Sequence, residues 1–286
     1  VSASITNIPA HTHYEIVEHD YTDDGYTTQT PQNASGLIDV VNEAGREEAM
    51  TFTNTRESGT LALSKALKGN ATDGEKEFTF RVKLENAQFD TATQRDAYDV
   101  VIREANKADV QTTVARDANG EYVLTLKGGQ TATLLDVLYG TTATVAEDDY
   151  TAEGYEAVST QTAAVNSQTP DAAAAFTNER YIGSIEITKA LAGTGSDKGY
   201  GKTFTFDVKL WNEHDLDLLN AQTSTMPSGV DGLTKTNEQR DGHDVYAGTV
   251  SITMGADGQP MSASITNIPA HTRYEIVERD YTDDGY

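Results

Sequence analysis

The 286-residue sequence has no cysteine, few basic residues and no long apolar run. Without cysteine, no disulfide bond can stabilise the fold. Only 21 Lys and Arg residues stand against 45 Asp and Glu residues, which gives a formal net charge of −24. Phosphate groups are bound by clustered Lys and Arg, so this charge excludes nucleic acid and anionic membrane surfaces as expected partners. No stretch approaches the roughly 20 apolar residues that a membrane-spanning helix needs.

Sequence motifs for catalysis and metal binding are missing as well. The sequence has no nucleophile elbow, no phosphate-binding loop and no histidine or cysteine cluster with metal-ligand spacing. We therefore expect neither an enzyme that turns over a substrate nor a bound cofactor or metal ion. Asp20, Asp23 and Asp24 leave calcium as a minor alternative, although their spacing falls short of a calcium-binding loop.

What the sequence does contain is a nearly identical repeat. Residues 262–286 copy residues 2–26, except that His13 and His19 of the first copy become arginines in the second. An array of self-similar units is typical of a stalk or fibre, in which length is part of the function. We therefore expect the chain to hold slightly more than one period and to begin and end inside a structural unit.

A weaker repeat lies inside this period. The segment GTLALSKAL at 59–67 matches GSIEITKAL at 183–191, and EFTFRVKL at 77–84 matches TFTFDVKL at 203–210. The period is thus predicted to hold two related domains. The expected boundaries define three stretches: a first segment that ends a preceding unit (1–56), a complete central domain (57–180) and a last segment that begins the next unit (181–286).

Alternating apolar residues predict an all-β fold. Residues 78–84 place apolar side chains at every second position, as a half-buried strand does, and 204–210 repeat the pattern. Asn119-Gly120 and Asp257-Gly258 are typical of hairpin turns. Units of about 125 residues with several short strands favour tandem Ig-like β-sandwiches with Greek-key connections, arranged as an elongated rod. Residues 97–108 and 213–222 are predicted as short helices or irregular insertions.

The same alternation puts polar residues on apolar strand faces. Lys65 shares a face with Leu61 and Leu63, and Lys189 shares one with Ile187. By the same rule, glutamates and asparagines of later strands face the core, namely Glu18, Glu147, Glu278, Asn54 and Asn178. An isolated buried charge is costly, so these groups must be paired or neutralised. Taken singly, each could be a lysine that reaches solvent, a carboxylate at a strand end or a turn asparagine.

In this order along the chain, the residues resemble a known family. A first-strand lysine stands in SKAL and TKAL, a glutamate ends YEIVE and TVAE, and FTN lies on the last strand. This pattern resembles the isopeptide-linkage domains of Gram-positive pilin shafts and adhesin stalks, which have the collagen-adhesin B-type fold. The resemblance covers nearly the whole chain. The central domain departs from it in TVAE, where Ala143 and Thr144 replace a tyrosine and a glutamate of the other copies.

The resemblance implies an autocatalytic bond between side chains. Lys65 would be joined to Asn178 through an amide, with Glu147 as the catalyst. Two incomplete sites would be completed by other copies, one with Lys189 and Glu278 and one with Glu18 and Asn54. Burial favours neutral lysine and protonated glutamate, so the amine can attack the carboxamide while the acid transfers protons. No cofactor is needed, and the reaction occurs once per domain.

A structural shaft is therefore the expected function. We expect the chain outside the cell, at the bacterial surface, in a cell wall or pilus-like fibre. Its partners would be neighbouring copies of itself head-to-tail, with host protein or glycan contacted through a tip. The alternative is an adhesive module that binds host protein or glycan directly through residues 85–110 and 211–245, with Trp211 at the edge of the second. TQT triplets at 28–30 and 160–162 leave a Thr–Gln ester as a minor alternative to the amide.

Overall fold

The computed structural model describes residues 2–38, 48–89, 95–220 and 226–285, and the regular secondary structure of these residues is almost entirely β-strand. The predicted all-β fold is confirmed. Helical structure in these residues is limited to short 3-10 turns at Thr22–Asp24, Thr151–Glu153, Ser196–Gly199 and Thr282–Asp284. Among the described residues, no helix is long and apolar enough to cross a membrane.

The central domain is a sandwich of two sheets. Its described strands are β5 (Ser58–Lys68), β6 (Glu77–Asn86), β7 (Ala97–Glu104), β8 (Val110–Ala115), β9 (Tyr122–Lys127), β10 (Gln130–Leu138), β11 (Thr141–Glu147), β12 (Gln161–Val165) and β13 (Asp171–Glu179). One sheet has the order β13-β5-β10-β7-β8 and the other has the order β12-β11-β6-β9. The predicted alternation is confirmed in β6, because Phe78, Phe80, Val82 and Leu84 are buried in the core between the sheets.

The first and last strands of the central domain lie side by side. β13 pairs with β5 in parallel, with Phe176 opposite Lys65 and Asn178 opposite Leu67. Parallel pairing of neighbours requires a crossover connection, and here the crossover comprises all the other strands of the sandwich. The two ends of this domain are therefore connected by a direct lateral contact between strands far apart in sequence.

One sequence-based expectation for the central domain is wrong, and another holds only locally. Residues 97–108 are not a helix or an insertion, because 97–104 form β7 and pair with β10 and β8 inside the five-stranded sheet. Tyr98 and Val100 are buried on one face of β7, so the period-two pattern of a strand was present. The turn at Asn119-Gly120 closes a short hairpin of one antiparallel bridge, Arg116 with Tyr122, and the strands then diverge into β8 of one sheet and β9 of the other.

The last segment repeats part of this plan. Its described strands are β14 (Ile182–Lys189), β15 (Thr203–Asn212), β16 (Asp231–Arg240), β17 (His243–Thr253), β18 (Met261–Pro269) and β19 (Thr272–Glu278). β14 pairs with β18, and the other four strands form a sheet in the order β16-β17-β15-β19. The Asp257-Gly258 turn connects β17 to β18 of different sheets, which do not pair with each other, so the hairpin expectation is wrong at this turn. The predicted insertion at 213–222 consists of turns up to residue 220, and its last two residues lie outside the described part.

The first segment contains two small antiparallel pairs. Its described strands are β1 (Thr12–Glu15), β2 (Thr27–Gln29), β3 (Ser35–Ile38) and β4 (Thr53–Thr55). β1 pairs with β3, and β2 pairs with β4. In the described part of the chain, β4 has no neighbour that corresponds to β5 beside β13. Its side chains are accordingly less covered: Asn54 is exposed, whereas Asn178 at the matching place in β13 is buried.

Gly69 and Gly193 occupy matching places in the two repeats but differ in how closely another backbone segment approaches them. Gly69 follows β5 in KALKG, has φ of 110° and would place a Cβ 1.9 Å from the carbonyl oxygen of Arg180. Gly193 follows β14 in KALAG with φ of 100°, and nothing lies within 4 Å of its Cβ position. We expect Gly193→Ala to cost about 1 kcal/mol for the left-handed backbone alone. Gly69→Ala should cost at least about 3 kcal/mol, because a backbone clash is added.

Amide hydrogen exchange measured strand by strand checks this expectation. Gly69→Ala should reduce protection in β5 and β13, and Gly193→Ala should change protection in β14 and β18 only slightly. Equal losses in the two variants would contradict the close approach of the strand ends.

Candidate functional site

A lysine, a glutamate and an asparagine meet inside the central domain. The Nζ atom of Lys65 donates to both carboxylate oxygens of Glu147, at 2.9 Å each. The side-chain amide of Asn178 donates to Oε1 of Glu147 at 2.5 Å. The side chains of Lys65 and Glu147 are 0% and 1% exposed, and Asn178 is 1% exposed. The three sequence-predicted residues thus form one continuous hydrogen-bonded group without access to solvent.

The strand arrangement explains why these residues meet. Lys65 and Asn178 lie on the paired strands β5 and β13, two residues apart in the register. Glu147 ends β11 in the opposite sheet, where it pairs with Phe80 of β6. Side chains of the two sheets interdigitate across the core, so a lysine of one sheet can reach a carboxylate of the other. The group therefore connects both sheets of the sandwich.

Aromatic rings enclose the lysine. The Nζ atom of Lys65 lies 4.0 Å from the centroid of the Phe78 ring, a cation–π distance. The rings of Phe80 and Phe176 pack edge to face beside it, with centroids 5.0 Å apart. The sequence analysis missed this role of the phenylalanines. The signal was available, because Phe78 begins the inward face of β6 and FTN places Phe176 two residues before Asn178.

Burial changes the chemistry of the lysine. Removal from water lowers the pKa of Lys65 from its ordinary value of 10.5, and the hydrogen bond and charge of Glu147 only partly oppose this effect. Moving the lysine proton to Glu147 turns two buried charges into two neutral groups, which a low-dielectric core favours. The geometry provides the path, because the donor and acceptor atoms are already within hydrogen-bonding distance.

The amide of Asn178 has one unsatisfied atom. Its Oδ1 atom is buried and has no hydrogen-bond partner, which is uncommon for a buried carbonyl oxygen. The oxygen and nitrogen of a side-chain amide have nearly the same shape and are assigned from their partners. With the amide turned over, Oδ1 and Nδ2 exchange places, and Oδ1 faces Glu147 where Nδ2 now donates to it. The site therefore holds the Asn178 carboxamide against the same carboxylate that binds Lys65.

The two incomplete sites each bring together two of the three residue types. In the first segment the Asn54 amide donates to Glu18 Oε1 at 3.0 Å, as Asn178 does to Glu147. In the last segment Lys189 Nζ lies 2.6 Å from Glu278 Oε1 and 4.3 Å from the ring centroid of Phe204. The Lys189 and Glu278 side chains are 15% and 35% exposed, so this pair is wetter than the pair in the central domain.

Other sequence candidates have local structural roles. Asp20 accepts a hydrogen bond from the backbone of Thr22 at 2.9 Å, which forms the turn of DYTDDGY and lowers the pKa of the Asp20 carboxyl. Gln161 of the second TQT triplet bonds only weakly to Ser159, at 3.4 Å. Trp211 is buried and stacks against the Arg240 guanidinium, with 5.6 Å between the ring centroid and the guanidinium carbon.

The lowered pKa of Lys65 predicts a pH dependence in a variant that cannot form the amide. In Asn178→Ala, the unfolded lysine binds its proton below about pH 10.5, whereas the folded lysine binds it only below its lowered pKa. Stability should therefore rise with pH across the window between these two values. Adding Lys65→Met should remove this rise, and the difference between the two urea-denaturation series isolates Lys65 from other titrating groups. Parallel stability curves for the two variants would contradict a desolvated amine.

The sequence matches one protein family and a streptococcal pilin. The profile of DUF7601, a family described as a domain of unknown function, matches residues 2–56, 59–180 and 183–286. A pilin from Streptococcus pyogenes serotype M1 is 32% identical over 114 residues, which cover 39% of this chain and 32% of that pilin. The match thus spans about a third of the pilin. It confirms the expected relationship to Gram-positive pilins.

Solved structures give more distant similarities. The major pilin from Streptococcus pyogenes has 23% sequence identity and a TM-score of 0.38, with 62% of this chain and 66% of that chain covered. A pilus-presented adhesin, Cpa, has 25% identity and a TM-score of 0.32, with 43% and 28% covered. Because the family profile matches nearly the whole sequence in three consecutive stretches, the chain belongs to the DUF7601 domain family.

Proposed function

We propose that the chain is a shaft module of a bacterial surface fibre, locked internally by an amide between Lys65 and Asn178. The observation that supports this most is the buried contact of Lys65 and Asn178 with the same carboxylate, Glu147. The similarity to a streptococcal pilin supports the same class of protein. In this proposal the chain is an extracellular structural protein, and its chemistry is a single self-modification.

The bond would form with all atoms accounted for. Lys65 passes a proton to Glu147, and the neutral Nζ attacks the Cγ carbon of Asn178. Glu147 hydrogen-bonds to the amide oxygen as negative charge develops there and gives its proton to the leaving nitrogen. It then takes the second proton from Nζ, so that the new amide is neutral and Glu147 ends protonated. The new Cγ–Nζ bond replaces the Cγ–Nδ2 bond, and one molecule of ammonia leaves. The fold holds the reacting groups together, which supplies the effective concentration.

The bond would join the two strands through which tension enters and leaves the domain. β5 begins the domain, β13 ends it, and the two run parallel and adjacent. Pulling the chain ends would therefore load the covalent bridge, whereas the rest of the sandwich would carry little force. A loop of roughly 110 residues would be closed, which in the chain-entropy model used for disulfides is worth about 4–5 kcal/mol. An amide also resists reduction, which suits a chain without cysteine.

Contacts between consecutive stretches support a rod of joined units, with boundaries near residues 56 and 180. Arg56 donates to the backbone of Asp24 in the first segment at 3.0 Å and to the Asp136 carboxylate of the central domain at 2.7 and 2.9 Å. Asn70 exchanges two hydrogen bonds of 2.9 Å with the backbone of Ile182. Neighbouring units are therefore held by polar contacts in addition to the chain itself.

The incomplete sites would be completed by neighbouring copies in the array. Lys189 and Glu278 lack an asparagine among the described contacts of the last segment, and Asn54 with Glu18 would await a lysine. The near-identity of 2–26 and 262–286 makes the end of one period the beginning of the next. Lys189 would thus be joined to the counterpart of Asn54 in the following copy, either along one polypeptide or in a neighbouring chain.

Direct adhesion to host protein or glycan is the weaker alternative. In the sequence, two predicted insertions and the single tryptophan, Trp211, favoured direct adhesion. Residues 97–104 belong to the central sheet, and Trp211 is 8% exposed, so neither offers an open aromatic surface. A role in reach and stability fits the observed packing better.

The first test of the proposal is the intact mass of the folded 286-residue chain. The mass should be lower than the sequence mass by one ammonia, because one amide forms in the central domain. Lys65→Ala, Asn178→Ala and Glu147→Ala should each restore the full mass. Lys68→Ala is the matched control, since Lys68 lies on the same strand but pairs with Glu179 at the surface. A well-folded wild-type chain of full mass would refute the bond.

A second test concerns the incomplete site of the last segment. A chain extended beyond residue 286 by a second copy of residues 27–54 should lose a second ammonia, because Lys189 then meets an asparagine on an adjacent strand. The same extension with its asparagine changed to alanine should lose only one. Loss of a single ammonia from the unaltered extended chain, with both sandwiches folded, would show that Lys189 is not a bonding residue.

A further inference from the structure

Two histidines and a glutamate meet where the central domain contacts the last segment. Glu156 of the central domain lies beside His214 and His271 of the last segment, and one ligand atom from each lies within 4.8 Å of the others. His271 Nε2 is 2.9 Å from Glu156 Oε1. The rings of His214 and His271 stack with centroids 4.2 Å apart and planes 20° from parallel.

A buried asparagine organises both histidines. The Asn212 side chain is 3% exposed, and its oxygen accepts the backbone N–H of His214 at 2.9 Å. Its nitrogen donates to the carbonyl of Ala270 at 2.8 Å and to the hydroxyl of Thr272 at 2.9 Å, the residues on either side of His271. One side chain thus fixes the two turns that present the imidazoles, so their separation does not depend on flexible loops.

The central domain has the same framework without the ligands. Its Asn86 oxygen accepts the backbone N–H of Gln88, and its nitrogen donates to Tyr139 and Thr141 on either side of Gly140. Gln88 and Gly140 therefore occupy the places of His214 and His271. At the junction with the first segment, Thr27 pairs with Thr55 as Glu156 pairs with Glu179, so a threonine stands in the place of Glu156.

The substitutions at the two junctions therefore occur as a set. One junction presents glutamate and two histidines, and the other presents threonine, glutamine and glycine at the corresponding three places. The hydrogen bond between Glu156 and His271 explains why these two residues occur together, but it does not explain why a histidine stands at position 214. Three metal-binding side chains, two histidines and a glutamate, stand at one junction, and the three corresponding places at the other junction hold none, which indicates a common ligand.

His271 also has an unfavourable backbone. Its φ is 60°, in the left-handed region where the central domain uses Gly140, with φ of 86°. A side chain in that region costs about 1–2 kcal/mol relative to glycine, although histidine tolerates it better than most residues do. A histidine at a position that suits glycine points to a function for its imidazole.

We propose that Glu156, His214 and His271 bind Zn²⁺ at this junction. Two imidazoles and one carboxylate are ligands that zinc accepts, with a fourth position left for water. Ligand bonds of about 2.1 Å require tetrahedral donor atoms about 3.4 Å apart, so small side-chain rotations bring the group into range. The charge of nearby Arg273 is offset by Glu213, whose carboxylate it contacts at 2.6 Å.

The ion would join two consecutive units. Glu156 precedes the boundary at residue 180 and both histidines follow it, so a bound ion adds a cross-connection between units that the chain and the Asn70 contacts already join. The ion would stiffen one junction per period and leave the other free of metal. This inference does not depend on the amide, because no residue of the Lys65 group takes part.

The test is a Zn²⁺ titration of the chelator-treated 286-residue chain by calorimetry, with Co²⁺ absorption as a probe of tetrahedral nitrogen and oxygen ligands. Three variants take the residues of the other junction: Glu156→Thr, His214→Gln and His271→Gly. Each should weaken the highest-affinity site by at least about tenfold, and the triple variant should lose it. The control is His13→Arg with His19→Arg, since the second copy has arginine at both positions. It should bind like the wild type.

The outcomes separate a built site from chance binding. Hydrogen exchange of the triple variant should show an intact fold, because each replacement occurs naturally on the same framework. If the triple variant does not fold, the single variant His214→Gln tests the proposal. His214 is exposed, and its replacement leaves the hydrogen bonds between Asn212 and the backbone intact. Undiminished Zn²⁺ affinity in these variants, loss of binding in the control, or no binding by the wild type would each overturn the proposal.

Discussion

The structure of the central domain depends on one buried amine. Lys65 has no contact with water and lies between the Phe78 ring and the Glu147 carboxylate. An unpaired charge in this place would cost several kcal/mol. The Lys65 ammonium therefore needs the Glu147 carboxylate of the opposite sheet, and Glu147 needs Lys65. A core of leucine and phenylalanine alone would be simpler to stabilise. Retaining a lysine there is understandable if the amine is consumed in a reaction that leaves a neutral amide.

Topology would make the proposed reaction useful. Because β5 and β13 are parallel neighbours, Lys65 and Asn178 belong to the strands at which the domain begins and ends. The same plan recurs at both ends of the chain, where Asn54 contacts Glu18 and Lys189 contacts Glu278. The first segment thus has the glutamate–asparagine contact of the central group, and the last segment has its lysine–glutamate contact. A repeated unit can thus be strong along its axis without disulfides, and its junctions remain available for other interactions.

Much of this was predictable from sequence, because a strand alternates its side chains regardless of context. That rule placed Lys65, Glu147 and Asn178 in the core, and the internal repeat removed the ambiguity of each residue alone. It failed at residues 97–104, where a charged end and a loop rich in polar residues obscured the strand pattern of Tyr98 and Val100. It also could not show that Asn119-Gly120 connects two sheets, since turn chemistry does not determine which strands pair. The sequence did not reveal the cluster of Glu156, His214 and His271, because Glu156 lies 115 residues from His271 in the sequence and belongs to a different unit.

The most direct measurement of the central claim is the identification of the bond itself. The folded wild-type chain is digested with protease, and the peptides are sequenced by tandem mass spectrometry. We expect a branched peptide in which fragments of β5 and β13 are joined, with the fragment ions placing the amide between Lys65 and Asn178. Recovery of the two peptides as separate linear species, with an intact lysine and an intact asparagine, would contradict it.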